Sequence, residues 1–158
     1  DIDFICDYEE LQKLKEKYDL VKNERLKKYE IHMGEFDVDI YVPFYSELGI
    51  PAEDLQTMAK SVSGIQVLSK EALLILKQRA CIDRAGTSKG EKARLEIIAL
   101  IKSGVDFHEY ARLIKTYKLH NLKDHLKKLF TETREAPEFG LQEHAFAKLR
   151  KKVLERLE

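Results

Sequence analysis

Two short stretches set carboxylates two residues apart: "DIDFI", with Asp1 and Asp3, and "DVDIYV", with Asp37 and Asp39. On an extended strand, side chains at i and i+2 leave from one face, about 6–7 Å apart along the backbone. Carboxylates so placed repel one another, and the ionised pair calls for a cation or a basic side chain between them. A third carboxylate from a neighbouring strand would complete an oxygen set suited to Mg²⁺, which takes few protein ligands and leaves positions for phosphate oxygens and water. Such a set serves metal-assisted phosphoryl or nucleotidyl transfer. The plain alternative is a solvated strand face, because D-x-D alone is common.

The elements that would carry these residues follow from periodicity. Residues 1–6 alternate as a strand, with Asp1 and Asp3 on one face and Ile2 and Phe4 on the other. Asp7 is placed to cap a helix whose apolar stripe is Leu11, Leu14 and Tyr18. "LKKYEIHMGEFDVDIYVPF" reads as a hairpin: Tyr29, Ile31 and Met33 alternate, Gly34-Glu35 turns, and Phe36 to Val42 returns until Pro43 ends the strand. On the return strand Val38, Ile40 and Val42 point one way, and Asp37, Asp39 and Tyr41 the other. "PAEDLQTMAKSV" predicts a short helix and "GIQVL" a short strand. "SKEALLILKQRACIDR" predicts a helix capped by Ser69, with Ala72, Leu73, Leu76 and Ala80 as its apolar stripe. "EKARLEIIALIKSG" predicts another, closed by Gly104, and the remainder holds two or three amphipathic helices. The expected fold is α+β: a small mixed sheet in residues 1–68, then a helical region in residues 69–158 that packs on it.

The totals narrow the class. At 158 residues, 44% hydrophobic and 35% charged, the chain is too apolar for disorder and has no run of the roughly 18 apolar residues that a membrane span needs. Nothing at its start resembles a signal peptide, and Cys6 and Cys81 lack metal-like spacing, so a cytoplasmic protein with two reduced thiols is expected. The net charge of zero conceals an asymmetry. Residues 1–68 carry 15 acidic and 8 basic side chains, whereas residues 69–158 carry 13 acidic and 20 basic ones. One half could hold cations and the other an anion, or the two halves simply attract each other.

An Asp-apolar-Asp strand, a helix, and a later strand with a third Asp resemble the palm of the nucleotidyltransferase superfamily that includes polymerase β. More narrowly, "DIDFI", "DVDIYVPF", "GIQVLSKEALLILKQRACIDR" and "KGEKARLEIIALI", over roughly residues 1–103, resemble small prokaryotic nucleotidyltransferases and the nucleotidyltransferase toxins of abortive-infection systems. The resemblance implies a nucleotidyltransferase-like mixed sheet and Mg²⁺-dependent transfer of a nucleoside monophosphate from an NTP to a hydroxyl on a protein, a tRNA or a small molecule. It implies Asp1, Asp3 and Asp39 as metal ligands, with Asp39 also helping to deprotonate the attacking hydroxyl and Asp37 as the alternative third carboxylate. It assigns Lys77 to the triphosphate, and Arg84, Lys89 and Lys92 to an anionic substrate; each is equally an ordinary solvated cation by position. Glu96 matches an acidic position of the family, with a structural role. A toxin–antitoxin setting and a homodimer are both compatible with the family. The family's glycine turn, which cradles the nucleotide phosphates, would lie ahead of Asp1, and Gly34, Gly49 and Gly64 are not placed to replace it. A chain lacking it should keep metal binding and be a poor transferase, which leaves a catalytically inactive binding relative as the competing reading.

Other chemistries fit less well. His120 and His125 are five residues apart, not the four that align two zinc ligands on a helix. The basic "LIKTYKLHNLKDHLKKLF" and "KLRKKVLERLE" intersperse acidic residues at helical spacing, as a solvated face does, rather than forming a nucleic-acid stripe. Leu113, Leu119, Leu122, Leu126, Leu129 and Phe130 are expected to pack inward or on a partner.

Overall fold

The computed structural model of the chain describes residues 2–158, and the protein is α+β: a four-stranded mixed sheet near the N-terminus, then helices. Two compact units are present, Asp1–Leu68 and Ser69–Glu158.

The first unit begins with β1 (Ile2–Ile5) and α1 (Tyr8–Lys15), followed by β2 (Val21–Asn23), β3 (Lys28–His32) and β4 (Asp37–Tyr41). The sheet order is β1-β4-β3-β2, with β1 parallel to β4 and the other pairs antiparallel. Asp7 caps α1 through the Glu10 N–H at 2.8 Å, and Glu10 returns the contact to the Asp7 N–H at 3.2 Å, a reciprocal capping box. The helix ends at Lys15, so Tyr18 lies beyond it and is exposed. Leu11 and Leu14 close on Tyr29, Ile31 and Ile40, apolar alternates of β3 and β4, and on Val42 just beyond β4. On the edge strand β1, Ile2 and Phe4 share that face by register but stay largely exposed. Gly34, at φ +83°, makes the β3–β4 turn, where a side chain would be strained, and the Met33 N–H donates to the Phe36 carbonyl at 3.0 Å.

The expected helix after Pro51 is shorter than the sequence suggests. It runs as α2 (Ala52–Thr57), and Ala59–Val62 instead forms β5, paired antiparallel with β6 (Ile65–Leu68). The cause is local: Ser63 and Gly64, at φ +51° and +81°, make the two-residue turn that fits strand twist, and the hairpin takes the residues a helix would have used.

The second unit contains α3 (Lys70–Asp83), α4 (Ser88–Lys102), α5 (Phe107–Thr116), α6 (Asn121–Glu132) and α7 (Glu143–Arg156). Ser69 caps α3 through the Ala72 N–H at 3.2 Å. The buried side of α3 is Glu71, Ala72, Leu74, Ile75 and Gln78; of the expected stripe Ala72 is buried, whereas Leu73, Leu76 and Ala80 are only half-buried. Because α3 contacts α4, α5 and α6, it has no single apolar face, and a one-stripe reading misplaces the core. The buried Glu71 carboxylate accepts from the Asp106 N–H at 2.9 Å at the start of α5. Leu113, Leu119, Leu122, Leu126, Leu129 and Phe130 are all buried, and Phe130 stacks on Phe146 of α7 with ring centroids 5.6 Å apart.

A polar node ties three of these helices. Fully buried Gln78 donates through Nε2 to the Leu122 carbonyl at 2.8 Å and faces His125 Nδ1 at 3.1 Å, while its Oε1 accepts from the Tyr110 hydroxyl at 2.8 Å. With Gln78 oriented by the Leu122 carbonyl, an acceptor only, His125 must present a bare Nδ1 and stay neutral. Burial, aided by Lys128, pushes His125 below its ordinary 6.5. A histidine depressed in the folded state contributes full stability above pH 6.5, and stability declines as pH falls below that value because the unfolded chain takes up the proton first. NMR titration should therefore place the His125 midpoint below 6.5, and His125→Leu should flatten the loss of stability between pH 7 and 5. A midpoint at or above 6.5 would contradict this arrangement.

Candidate functional site

The parallel register of β1 and β4 sets Asp3 beside Asp39, and the antiparallel register of β3 and β4 sets Glu30 on the other side of Asp39. Three carboxylates thus form a row across adjacent strands, about 4.8 Å per step, on the face that alternation turns away from Tyr29, Ile31 and Ile40. Asp39 and Glu30 have side chains only 17% and 18% exposed.

Lys28 neutralises one side of this row. It is buried, and its Nζ donates to Asp39 Oδ2 at 2.5 Å and reaches Glu30 Oε1 at 2.9 Å. Burial alone would lower the pKa of this ammonium, but the hydrogen bonds to Asp39 and Glu30 outweigh it and raise the group above its ordinary value. The same hydrogen bond holds Glu30 below the usual carboxylate range, with help from Asn23, whose Nδ2 donates to Glu30 Oε1 at 3.0 Å. Asp3 accepts from the Tyr41 hydroxyl at 3.3 Å. Further along the face, His32 Nδ1 lies 2.8 Å from Asp37 Oδ1, and this bond raises the imidazole pKa and lowers that of the carboxyl.

The expected residues therefore separate. Asp39 rather than Asp37 is the register partner of Asp3, while Asp37 pairs with His32. Asp1 lies outside the described residues. Among the described residues no group of three or more His, Cys, Asp or Glu is arranged to hold a metal. Asp3 and Asp39 nevertheless offer hard oxygen donors on adjacent strands, which fits Mg²⁺, an ion often held by one or two carboxylates with phosphate oxygens and water completing its shell. The Asp39–Glu30 side does not fit a second ion, because an ammonium already bridges it.

The basic candidates belong to the helical unit. Lys77 Nζ is 2.8 Å from Glu96 Oε2, at a shallow groove lined by Leu73, Ala99, Leu100 and Ser103, so its charge is already partnered. Arg84, Lys89 and Lys92 are exposed around the α3–α4 connection. That connection is tightly built: the Thr87 hydroxyl donates to the Arg84 carbonyl at 2.7 Å, and a Cβ on Gly90 would fall 2.1 Å from the same oxygen.

Lys28 and Glu30 were not among the residues singled out from the sequence. The signal was present in "KYEIH", whose polar alternates must share a face with Asp39 once the Gly34-Glu35 turn fixes the hairpin register. Comparison with protein-family models, curated proteins and solved structures gave no match.

Replacing Lys28 by Met leaves two poorly exposed carboxylates facing each other without a donor. Urea unfolding should show a loss of about 2 kcal/mol, the scale for stranding buried polar groups. Adding Glu30→Gln should recover about half of it. A Lys28→Met loss under about 0.5 kcal/mol, the range of an ordinary surface change, would show the bridge to be unimportant.

Proposed function

We propose that the first unit is a nucleotidyltransferase-type palm that holds Mg²⁺ and a nucleoside triphosphate and passes a nucleoside monophosphate to a hydroxyl of a protein, RNA or small-molecule acceptor. The observation that carries this reading is the register of β1 against β4, which sets Asp3 and Asp39 side by side on a polar sheet face. Asp3 and Asp39 would hold the ion, with Asp1 as a further ligand. Bound Mg²⁺ supplies charge neutralisation at the phosphates and at the leaving pyrophosphate. Tyr41 steadies the Asp3 carboxylate and Lys28 fixes that of Asp39, so neither has to be ordered when the substrate arrives. Asp39 would receive the proton of the attacking hydroxyl through its oxygen not bonded to Lys28. A cytoplasmic setting accords with the two free thiols and with the absence, among the described residues, of a helix long and apolar enough to cross a membrane.

The alternative is a catalytically inactive relative that keeps the fold for binding. Its support is the hold of Lys28 on Asp39, the residue that would otherwise act as base.

Calorimetry with ATP, GTP, CTP and UTP, with and without Mg²⁺, should detect binding that requires the ion and is lost at least tenfold in Asp3→Asn and Asp39→Asn. Label transfer from an α-³²P-NTP to the protein or to added RNA then separates the readings: Mg²⁺-dependent binding without transfer favours the inactive relative. Binding indifferent to Mg²⁺ and to both aspartates would remove the metal-site reading altogether.

A further inference from the structure

We propose that the outward face of the α3–α4 helix pair is a homotypic interface, on which a second copy of this chain packs about a two-fold axis. The two helices run antiparallel. Lys70 Nζ of α3 donates to the Ser103 carbonyl just after α4 at 2.7 Å, and two turns further along α3 Lys77 Nζ meets Glu96 Oε2 at 2.8 Å. The groove between them measures about 370 Å³. Each helix lines it with side chains three, four or seven residues apart, the spacing of one helix face: Leu73 and Lys77 from α3, and Glu96, Ala99, Leu100 and Ser103 from α4. Leu76 and Ala80 continue the α3 stripe and are only half-buried. Because α3 already buries Ala72, Leu74 and Ile75 elsewhere on its surface, this is a second apolar stripe, and such a stripe calls for a second neighbour.

Charge selects that neighbour. The charged side chains lining the groove, Lys77 and Glu96, neutralise each other, so a phosphate, an acidic peptide or a basic one would have to break the pair to gain a partner. The pair instead suits another of its kind laid head to tail. A two-fold axis running along the groove supplies one. It sets α3 of one copy over α4 of the other, so that the partner's Lys77 lies over Glu96 and the partner's Glu96 over Lys77. The same operation brings the partner's Leu73 against Leu100 and the small Ala99, and four antiparallel helices close around one apolar seam. Helices of 14 and 15 residues give a face about 20 Å long and two helices wide. That is small beside the roughly 800 Å² per partner of a standard interface, so a weak, concentration-dependent dimer is expected. The interface lies wholly in the second unit and does not depend on the metal reading of the first.

Sedimentation velocity of the full chain, from micromolar to millimolar concentration, should show a reversible monomer–dimer equilibrium. Leu100→Lys should raise the dissociation constant at least about tenfold with the circular dichroism unchanged. The decisive variants reverse one charge of the pair, at side chains that are 36% and 34% exposed and so tolerate exchange even where Leu100→Lys does not fold. Lys77→Glu leaves two carboxylates on each face and Glu96→Lys leaves two ammonium groups, so each alone should dimerise at least about tenfold more weakly than wild type. Mixed, they should associate with each other, because across the axis every acid then meets a base. That recovery cannot come from a contact within one chain. A wild-type chain that stays monomeric throughout the series would overturn the proposal and leave the groove to a different protein or a small ligand. A dimer indifferent to Leu100→Lys and to both charge reversals would overturn it too, since the copies would then meet elsewhere. So would a mixture of the two charge variants no more associated than either one alone.

Discussion

Parallel pairing of β1 with β4 is the constraint on which the acidic face depends. The two strands are separated in sequence by a helix and a hairpin, so their alignment is set by tertiary packing rather than by a tight turn. Leu11 and Leu14 of α1 lie against Tyr29, Ile31 and Ile40, which anchors the crossover on one face of the sheet. That anchoring decides which alternates of β4 face away from the core. A slip of one residue would exchange the two sets, burying Asp39 and exposing Ile40. The hydrophobic core and the polar row are therefore two consequences of one register.

A row of carboxylates at strand spacing is unfavourable unless something positive stands in it, and Lys28 does so from within the sheet. Its position is costly, since burial works against the ammonium, yet the two hydrogen bonds more than compensate. Strand β3 thus supplies both the Tyr29 and Ile31 side chains of the core and the counterion of the acidic face, on alternating positions. The face is polarised as a result, with its Glu30 side closed by charge.

Much of this was readable from local chemistry. Asp7 with Glu10, Ser69 before α3, and Gly104 after α4 announce helix ends through side-chain and glycine preferences that do not depend on the rest of the chain. Strands β1, β3 and β4 announce themselves by strict alternation. What failed to read were features decided at a distance. Val21–Asn23 is three residues long with no alternation to detect, and it exists as a strand because β3 offers an edge. Ala59–Val62 is the local exception: it follows α2 without punctuation, and the Ser63-Gly64 turn after it is what marks the hairpin. The buried side of α3 reflects three neighbouring helices, and no single stripe encodes that. In the candidate site, the carboxylates were visible by spacing, whereas Lys28 looked like one of many lysines until the hairpin register placed it between two acids. Lys77 was visible as a cation, but its partner Glu96 is nineteen residues away on another helix.

The most direct measurement is a crystal structure of the chain with Mn²⁺ and a non-hydrolysable nucleoside triphosphate, with the ion located by its anomalous scattering. The account predicts one Mn²⁺ ligated by the Asp3 and Asp39 carboxylates, with Lys28 still bonded to Asp39 and Glu30. Nucleotide bound with no metal at these carboxylates, or Mn²⁺ seated elsewhere on the chain, would contradict it.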